Sequence, residues 1–360
     1  MSRYYYLDAM RSVLMILGIV LHAAVIYSSS SWLAAEQSSV IYNNIVSIIH
    51  LFRMPAFFIV SGFFTHMTLS RYRYDEFLKI RLPRLAIPLI MTVLTLNSLQ
   101  YFIISDYKNI QTPFLSLEYW QDGLWVSHLW FLITLIYYSI ISALVIRYFN
   151  NPIKKVSLIL SNLIHRAGNY SLVLLAFVSL LVVKLSYISI IFMPDIKFDW
   201  LLTDSIRYST YFIFGLLAGY NKEILISFTQ VSWKKLLITA SSMLIIYTAA
   251  ILHEEYKMVL LLLLEALSTW LLCYFCFIFF YKLCNASSTY FSYLSEASYS
   301  IYLLHHILVI VIAIILMPLS IPLWIKFITI MLFTFFITVA AHHFLILKYP
   351  FLRFLFNGKK

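Results

Sequence analysis

Long apolar runs separated by short polar turns make up most of the chain. Several runs approach or exceed the roughly 20 residues that an α-helix needs to cross a bilayer. The runs are continuous rather than alternating, which favours helices over the strands of a membrane barrel. We therefore predict an all-α polytopic membrane bundle, in one domain covering residues 1–360, with about ten transmembrane helices. The predicted spans are 9–29, 43–69, 84–104, 128–149, 170–193, 203–220, 234–252, 257–281, 297–317 and 323–347.

Composition and charge placement support this interpretation. Of the 360 residues, 62% are hydrophobic and 11% are charged, and the mean hydropathy is +0.88. A soluble domain does not bury so large an apolar fraction. The net charge of +11 could indicate a nucleic-acid partner. With the N-terminus inside, however, most Lys and Arg residues fall in the inner turns and the tail, as the positive-inside rule requires. We therefore predict cytoplasmic termini and no nucleic-acid partner, although some of these cations could hold an anionic cytosolic ligand.

The run RSVLMILGIVLH, residues 11–22, places two ionisable side chains in the first predicted span. From Arg11 to His22 a helix makes three turns plus roughly 20°, so both side chains share one face about 16 Å apart. Asp8 lies one turn before Arg11 and is predicted to pair with it, and Gly18 leaves a notch on the same face. Because ionisable groups inside a span tend to face a cavity, we predict a groove with Arg11 near its inner mouth.

Histidines and an arginine recur in three other spans. His50 and Arg53 are i and i+3 in the second span, and Arg53 lies about 15 Å deep, close to the depth of His22. Two helices that each carry an arginine and a histidine favour a functional site over a structural buried arginine. Taken singly, the remaining histidines are more typical of hydrogen-bonded packing residues. The further candidates are His128 and Trp130 in the fourth span and Tyr302, His305 and His306 in the ninth.

Other polar, aromatic and sulphur-bearing residues have simpler interpretations. Lys184 and Glu265 are isolated in their spans, and we expect a salt bridge between them or with a neighbouring helix. Cys273 and Cys276 form a CxxC without nearby metal ligands, so we predict packing residues and no metal site. The sequence contains no phosphate-binding loop, zinc-protease or esterase-elbow motif. The outer-loop aromatics are either interface anchors or surfaces for sugar stacking: Trp32, Tyr119, Trp120 and Trp125.

Five segments, in this order, resemble the acyltransferase family 3 of membrane proteins. They are LDAMRSVLMILGIVLH, HLFRMPAFFIVSGFF, SHLWFL, IYLLHH and FLRFLFNGK. Taken together, the five segments narrow the resemblance to the glucan-biosynthesis branch of that family, although Ile307 stands where that branch usually has a proline. The resemblance implies transfer of an acyl group from cytosolic acyl-CoA to an extracytoplasmic glycan hydroxyl. For this branch it implies a succinyl-CoA donor, an osmoregulated periplasmic glucan acceptor and the bacterial inner membrane.

The resemblance also implies residue roles. The family's Arg-x10-His pair corresponds to Arg11 and His22, its preceding acid to Asp8 and its late histidine to His305. We expect His22 to act as a general base on the glucan hydroxyl, because imidazole titrates near neutral pH. An acyl-histidine intermediate stays open. Donor-binding candidates, for the phosphates, the oxyanion or the succinyl carboxylate, are Arg53, Arg71, Arg73, Lys79, Arg81 and Arg84. Acceptor-side candidates are His50, His128, Trp130, Tyr302 and His305.

Two other functions stay open on the sequence. An acetyltransferase acting on another cell-surface glycan would use the same residues and would differ in lacking a distal carboxylate on its donor. A transporter of anionic solutes would also place arginines and histidines in its spans, but transporters often show internal repeats and broken helices, and the sequence contains no clear repeat. We expect the lipid bilayer as a partner, acyl-CoA as a substrate and no permanently bound cofactor. A homo-oligomer also stays open.

Overall fold

The computed structural model describes residues 4–29, 38–108, 110–192 and 199–358, except for the side chains of 186–192, 199 and 200. Within these ranges the regular structure is helical. The α-helices are α1 (Tyr5–Ile26), α2 (Val40–Leu69), α3 (Tyr74–Thr92), α4 (Ser98–Lys108), α5 (Leu117–Gln121), α6 (Trp130–Ala167), α7 (Ser171–Phe192), α8 (Asp199–Tyr220), α9 (Lys222–Thr229), α10 (Trp233–Leu252), α11 (Lys257–Cys284), α12 (Thr289–Leu316), α13 (Leu323–Ala341) and α14 (Pro350–Asn357).

Shorter helical segments join several of these helices. Two π-helical segments occur: Val93–Asn97 connects α3 to α4, and His342–Ile346 follows α13. A 3-10 segment at Ser127–Leu129 leads into α6. Inside α6 the backbone leaves helical geometry at Phe149 (φ −128°, ψ 28°). This kink lies three residues before Pro152, whose ring cannot fit beside the carbonyl group of the preceding turn.

Eight helical segments of the described chain are long and apolar enough to cross a membrane. The longest, Ser127–Leu185, contains the predicted span 128–149 and most of the span 170–193. Helix α8 covers the predicted span 203–220 but is not among the eight, and its first half is polar, with Asp204 and Arg207. The all-helical, multi-span prediction is therefore confirmed, whereas the number of about ten crossings and the cytoplasmic termini stay predictions.

The chain forms two compact units, and neither is contiguous in sequence. Unit 1 contains Met1–Met10, Leu51–Phe77 and Ile141–Ser287, and unit 2 contains Arg11–His50, Leu78–Ile140 and Ser288–Lys360. Four of the five boundaries fall inside a helix, so α1, α2, α3 and α6 each pass from one unit to the other. The prediction of a single domain over 1–360 stays a prediction.

Glycines bring α2 and α8 into backbone contact within unit 1. A Cβ atom on Gly62 would lie 2.0 Å from the carbonyl oxygen of Phe212, and one on Gly215 would lie 1.9 Å from that of Ile59. Both distances are far below van der Waals contact, so a larger residue would force the two helices apart. The glycine of the FFIVSGFF motif therefore has a packing role.

The core of unit 2 forms where the second half of α1 packs against the start of α2, α12 and α13. Ala23, Ala24 and Val25 of α1 belong to one buried cluster with Val309 and Ile310 of α12. Small residues on α1 allow close helix packing, which dispersion forces stabilise when lipid supplies no hydrophobic driving force. This packing fixes the last turns of α1, where His22 lies, relative to α12.

Candidate functional site

Four imidazole rings of unit 2 lie within contact distance of one another. His22 comes from α1, His128 from the 3-10 segment before α6, and His305 and His306 from α12. We call these four residues the histidine cluster. The ring centroid of His22 lies 5.1 Å from that of His305 and 4.8 Å from that of His306. His128 stacks on His306 at 4.6 Å and lies 5.4 Å from His305. The structure thus brings together histidines that the sequence places in three separate spans.

A cavity of about 590 Å³ lies beside this cluster, also within unit 2. Its lining includes His22, His128 and His306, together with His50 and Trp130. A volume of 300–1,000 Å³ with a few convergent polar groups is typical of a small-molecule site. The predicted acceptor-side residues His50, His128 and Trp130 are therefore grouped around one cavity with His22.

Hydrogen bonds determine the orientation of the buried α12 histidines. The Nδ1 atom of His305 lies 2.6 Å from the backbone oxygen of Tyr302. A carbonyl oxygen only accepts, so Nδ1 carries the proton, and Nε2 is the basic nitrogen of the neutral ring. The Tyr302 hydroxyl donates to the backbone oxygen of His128 at 2.6 Å. Tyr302 therefore fastens the segment that carries His128 to α12, which is a supporting role.

A second group of unit 2 residues is cationic. Arg11 donates from Nη2 to the hydroxyl of Ser295 on α12 at 2.7 Å. Arg81 interacts electrostatically with both Arg11 and Arg84. Arg81 is close enough to the other two guanidinium groups to be repelled by them, which favours an anion beside it, and phosphate suits their planar donors. Arg11 and His22 lie on one uninterrupted helix, and their separation of about 16 Å along its axis stays a prediction from the helical rise.

The C-terminal segment FLRFLFNGK packs against Arg84, one member of this cationic group. Gly358 follows α14 with φ 58°, a left-handed conformation that favours glycine. A Cβ atom there would lie 2.4 Å from the Cα atom of Arg84. Asn357 accepts a hydrogen bond from Ser300 of α12 at 2.8 Å. The sequence Asn-Gly of the tail is therefore explained by close packing on α3 and α12.

The remaining predicted site residues, Asp8, Arg53, Arg71 and Arg73, belong to unit 1. Arg53 is buried and interacts electrostatically with Tyr208 of α8. Arg71 and Arg73 are exposed, and Arg73 forms a 3.5 Å ion pair with Asp75. The pairing of Asp8 with Arg11 and the donor roles of the three arginines stay predictions.

Unit 1 contains its own group of charged side chains. Glu265 of α11 pairs with Arg207 of α8, which confirms the expected salt bridge to a neighbouring helix rather than to Lys184. Asp204 interacts with the same guanidinium. A cavity of about 200 Å³ lies beside this group. An arginine between two carboxylates is typical of a structural ion-pair network.

The outer-loop aromatics differ from one another. Tyr119 is buried, with its ring 5.0 Å from Tyr101 and 5.3 Å from Phe114, so its face is not available for a sugar. Trp120 is partly exposed, and its backbone oxygen accepts from the indole of Trp125 at 3.1 Å. Trp32 lies outside the described residues. Among the described residues, no group of three His, Cys, Asp or Glu side chains has the arrangement of a metal site.

Sequence reasoning missed two polar residues beside the histidine cluster. Gln100 of α4 and Ser127 both line the cavity, and Gln100 contacts His306. The sequence contained a usable signal, because Asn97 and Gln100 are i and i+3 in a span that is otherwise mostly apolar. His306 is a candidate on the sequence, but its contacts with both His22 and His128 emerge only in the structure.

Comparisons with known proteins show the family of the chain. A family model described as an acyltransferase domain matches residues 4–343. The chain is 30% identical to glucans biosynthesis protein C of Escherichia coli K12, over 99% of this chain and 95% of that protein. Proteins of the same name from Escherichia coli O81 and Shigella dysenteriae serotype 1 show the same identity and coverage. No solved structure gives a significant match. The chain thus belongs to the acyltransferase family 3, and it is a membrane acyltransferase.

Proposed function

We propose that the protein moves a succinyl group from cytosolic succinyl-CoA to a hydroxyl group of a periplasmic glucan at the bacterial inner membrane. The observation that carries this proposal is the histidine cluster, with His22 of the Arg-x10-His pair lining a cavity of about 590 Å³. The name of the similar proteins, glucans biosynthesis protein C, supports a glucan acceptor. The family resemblance supports the succinyl donor.

On the acceptor side, His22 is the general base. As the glucan hydroxyl oxygen bonds to the thioester carbon, its proton passes to the imidazole of His22, and a tetrahedral intermediate forms. When the intermediate collapses, the carbon–sulphur bond breaks, and the CoA thiolate takes the proton from the imidazolium. A base whose pKa lies near the working pH is suited to both transfers. Trp130 and His50 of the same lining offer an aromatic face and a hydrogen-bonding group for the sugar.

On the donor side, the cations of unit 2 hold the phosphates of CoA. Arg81 is repelled by both Arg11 and Arg84, and a bound phosphate would relieve that repulsion. The distal carboxylate of a succinyl group needs a cation of its own, and Lys108 lines the cavity beside the histidine cluster. An acetyl donor has no distal carboxylate for Lys108 to bind, so this residue favours a succinyl donor.

A mass spectrum of periplasmic glucans tests acyl group and acceptor together. The gene is expressed in a host that makes unmodified glucans, and glucans are compared with those from the empty vector and from the His22→Ala variant. We expect glucans heavier by succinyl units only with the unaltered protein. Glucans heavier by acetyl units would assign the donor to acetyl-CoA, and unmodified glucans with well-expressed protein would reject the glucan acceptor.

A further inference from the structure

Two amides, one at the end of the π-helical segment before α4 and one in the first turn of α4, contact the segment that carries His128. The Asn97 side chain donates from Nδ2 to the backbone oxygens of Trp125 at 2.8 Å and Val126 at 3.2 Å. One turn later, Gln100 donates from Nε2 to the Ser127 hydroxyl at 3.1 Å. Asn97 is the last residue of the π-helical segment Val93–Asn97. A π-helical segment changes the rotation of the residues that follow it and is frequent near functional sites.

The segment held by these amides is strained. Ser127 has φ 46°, a left-handed conformation that L-residues other than glycine seldom adopt. Such strain persists only where the surroundings over-determine the backbone, and it occurs most often at active sites and ligand clamps. Here Asn97 holds the two carbonyls before Ser127, Gln100 holds its hydroxyl, and Tyr302 holds the carbonyl after it. These contacts fix the position of the His128 ring, which stacks on His306.

The same Gln100 side chain also contacts the histidine cluster. Its Oε1 atom lies 2.6 Å from Nδ1 of His306, and both residues are buried. The amide oxygen accepts, so Nδ1 of His306 carries the proton, and Nε2 is the basic nitrogen of the neutral ring. His305 has the same tautomer through its bond to the backbone of Tyr302. Both α12 histidines therefore have a basic Nε2 atom when neutral.

We propose that Gln100 is a positioning residue, which fixes the tautomer of His306 through one end of its amide and the strained Ser127 segment through the other. The two rings that pack against each other, His128 and His306, thus take their relative placement from one side chain of α4. The consequence for acyl transfer rests on the proposed function. The effect on the tautomer does not rest on it, so the two can fail separately.

The first test measures the tautomer directly. Protein with ¹⁵N-labelled histidine is reconstituted in lipid vesicles, and the imidazole signals are recorded by solid-state NMR. The His306 signals are identified by their loss in His306→Asn. In the unaltered protein, we expect His306 protonated at Nδ1. In Gln100→Leu, which removes the acceptor, we expect the Nε2-protonated form to appear. In Gln100→Glu, which restores an acceptor, Nδ1 protonation should return.

The control is Leu99→Ala, at an exposed neighbour on the same helix, and it should leave the His306 signals unchanged. If Gln100→Leu does not accumulate as folded protein, Gln100→Met, which is close to glutamine in shape and also lacks the acceptor, replaces it. Unchanged His306 signals in a folded Leu or Met variant would overturn the proposal.

The second test separates positioning from binding. Because a misplaced group in the site can reduce the rate about 100-fold without loss of substrate contacts, we expect Gln100→Leu to lower kcat by about 10- to 100-fold with KM for acyl-CoA nearly unchanged. Gln100→Glu should recover part of kcat. A rise in KM with an unchanged kcat would mean that Gln100 binds substrate and does not position His306. If the tautomer changes as expected but no glucan is acylated by the unaltered protein, the proposed function fails and the positioning role stands.

Discussion

Units 1 and 2 both place polar side chains among apolar helices, but they use different chemistry. In unit 1 the groups are opposite charges, with Arg207 between Glu265 and Asp204, beside a cavity of about 200 Å³. In unit 2 the groups are four imidazoles beside a cavity of about 590 Å³. The charges of unit 1 pair within the protein, whereas three of the four imidazoles of unit 2 line a cavity large enough for a small molecule. Polar groups inside a membrane protein therefore indicate a reaction site when they also face a cavity of substrate size.

The largest effect is expected from removing the ring of His22. His22→Ala should reduce glucan acylation by about 100-fold or more, because a positioned general base contributes about 10²- to 10⁴-fold. Protein levels should stay normal, since the neighbouring helices keep their apolar packing. The measurement is a mass spectrum of periplasmic glucans beside an immunoblot of membranes.

The matched control is His253→Ala, at an exposed histidine at the end of α10, and it should retain full acylation. If His22→Ala keeps wild-type acylation, the assignment of chemistry to unit 2 is wrong.

The next effect concerns stability in unit 1. Arg207→Met leaves Glu265 without its cation, and we expect a loss of about 1–3 kcal/mol in the free energy of unfolding. The double variant Arg207→Met with Glu265→Gln should regain part of that loss, because Asp204 is then the one carboxylate of this group that has lost its cation. Thermal unfolding of detergent-purified protein measures both, and acylation per folded molecule should be unchanged. A variant that keeps its stability but loses activity would show that unit 1 also takes part in the chemistry.

A smaller effect is expected at the cationic group of unit 2. Arg81→Gln should raise KM for acyl-CoA about tenfold, the effect of losing roughly 1.4 kcal/mol of a charge-assisted phosphate contact. Arg73→Gln, in unit 1, is the comparison, because Arg73 is exposed and already paired with Asp75. Initial rates at varied acyl-CoA measure both. Equal increases in KM would mean that Arg73 contributes to donor binding as much as Arg81 does.

The smallest effect is expected at Ser127. Glycine tolerates its φ of 46° and alanine does not, so Ser127→Gly should be more stable than Ser127→Ala by about 1 kcal/mol. Both variants lose the hydroxyl that Gln100 contacts, so both should show a similar, modest loss of kcat. Thermal unfolding and initial rates distinguish the two contributions. Equal stability of the two variants would mean that the segment is not strained in solution.

Helical periodicity predicted which side chains share a face of one helix. It did not predict contacts between side chains of different helices. The shared face of Arg11 and His22 follows from the helix repeat alone. A salt bridge of Glu265 could be expected, because an isolated carboxylate in a span needs a partner. That the partner is Arg207 follows only from the packing of α8 against α11.

Gln100 shows the limit most clearly. An uncharged amide in an apolar span carries no strong signal, and its role depends on a π-helical segment, a left-handed serine and a histidine more than 200 residues away. The glycine of FFIVSGFF is a similar case, because a larger side chain there would clash with a carbonyl oxygen on α8. Residues whose importance is set by tertiary contact were therefore missed, whereas those set by local spacing were found.

The interleaving of the two units has a consequence for biogenesis. His22 and His128 emerge from the ribosome long before α12, which carries His305 and His306. During insertion, the early helices must stay in the membrane with incomplete polar contacts until residues 288–360 arrive to complete unit 2. A nascent chain stalled after Ser287 is thus expected to engage insertases and membrane proteases for longer than a full-length one. The order of synthesis, and not only the final structure, makes the last spans decisive for the cavity.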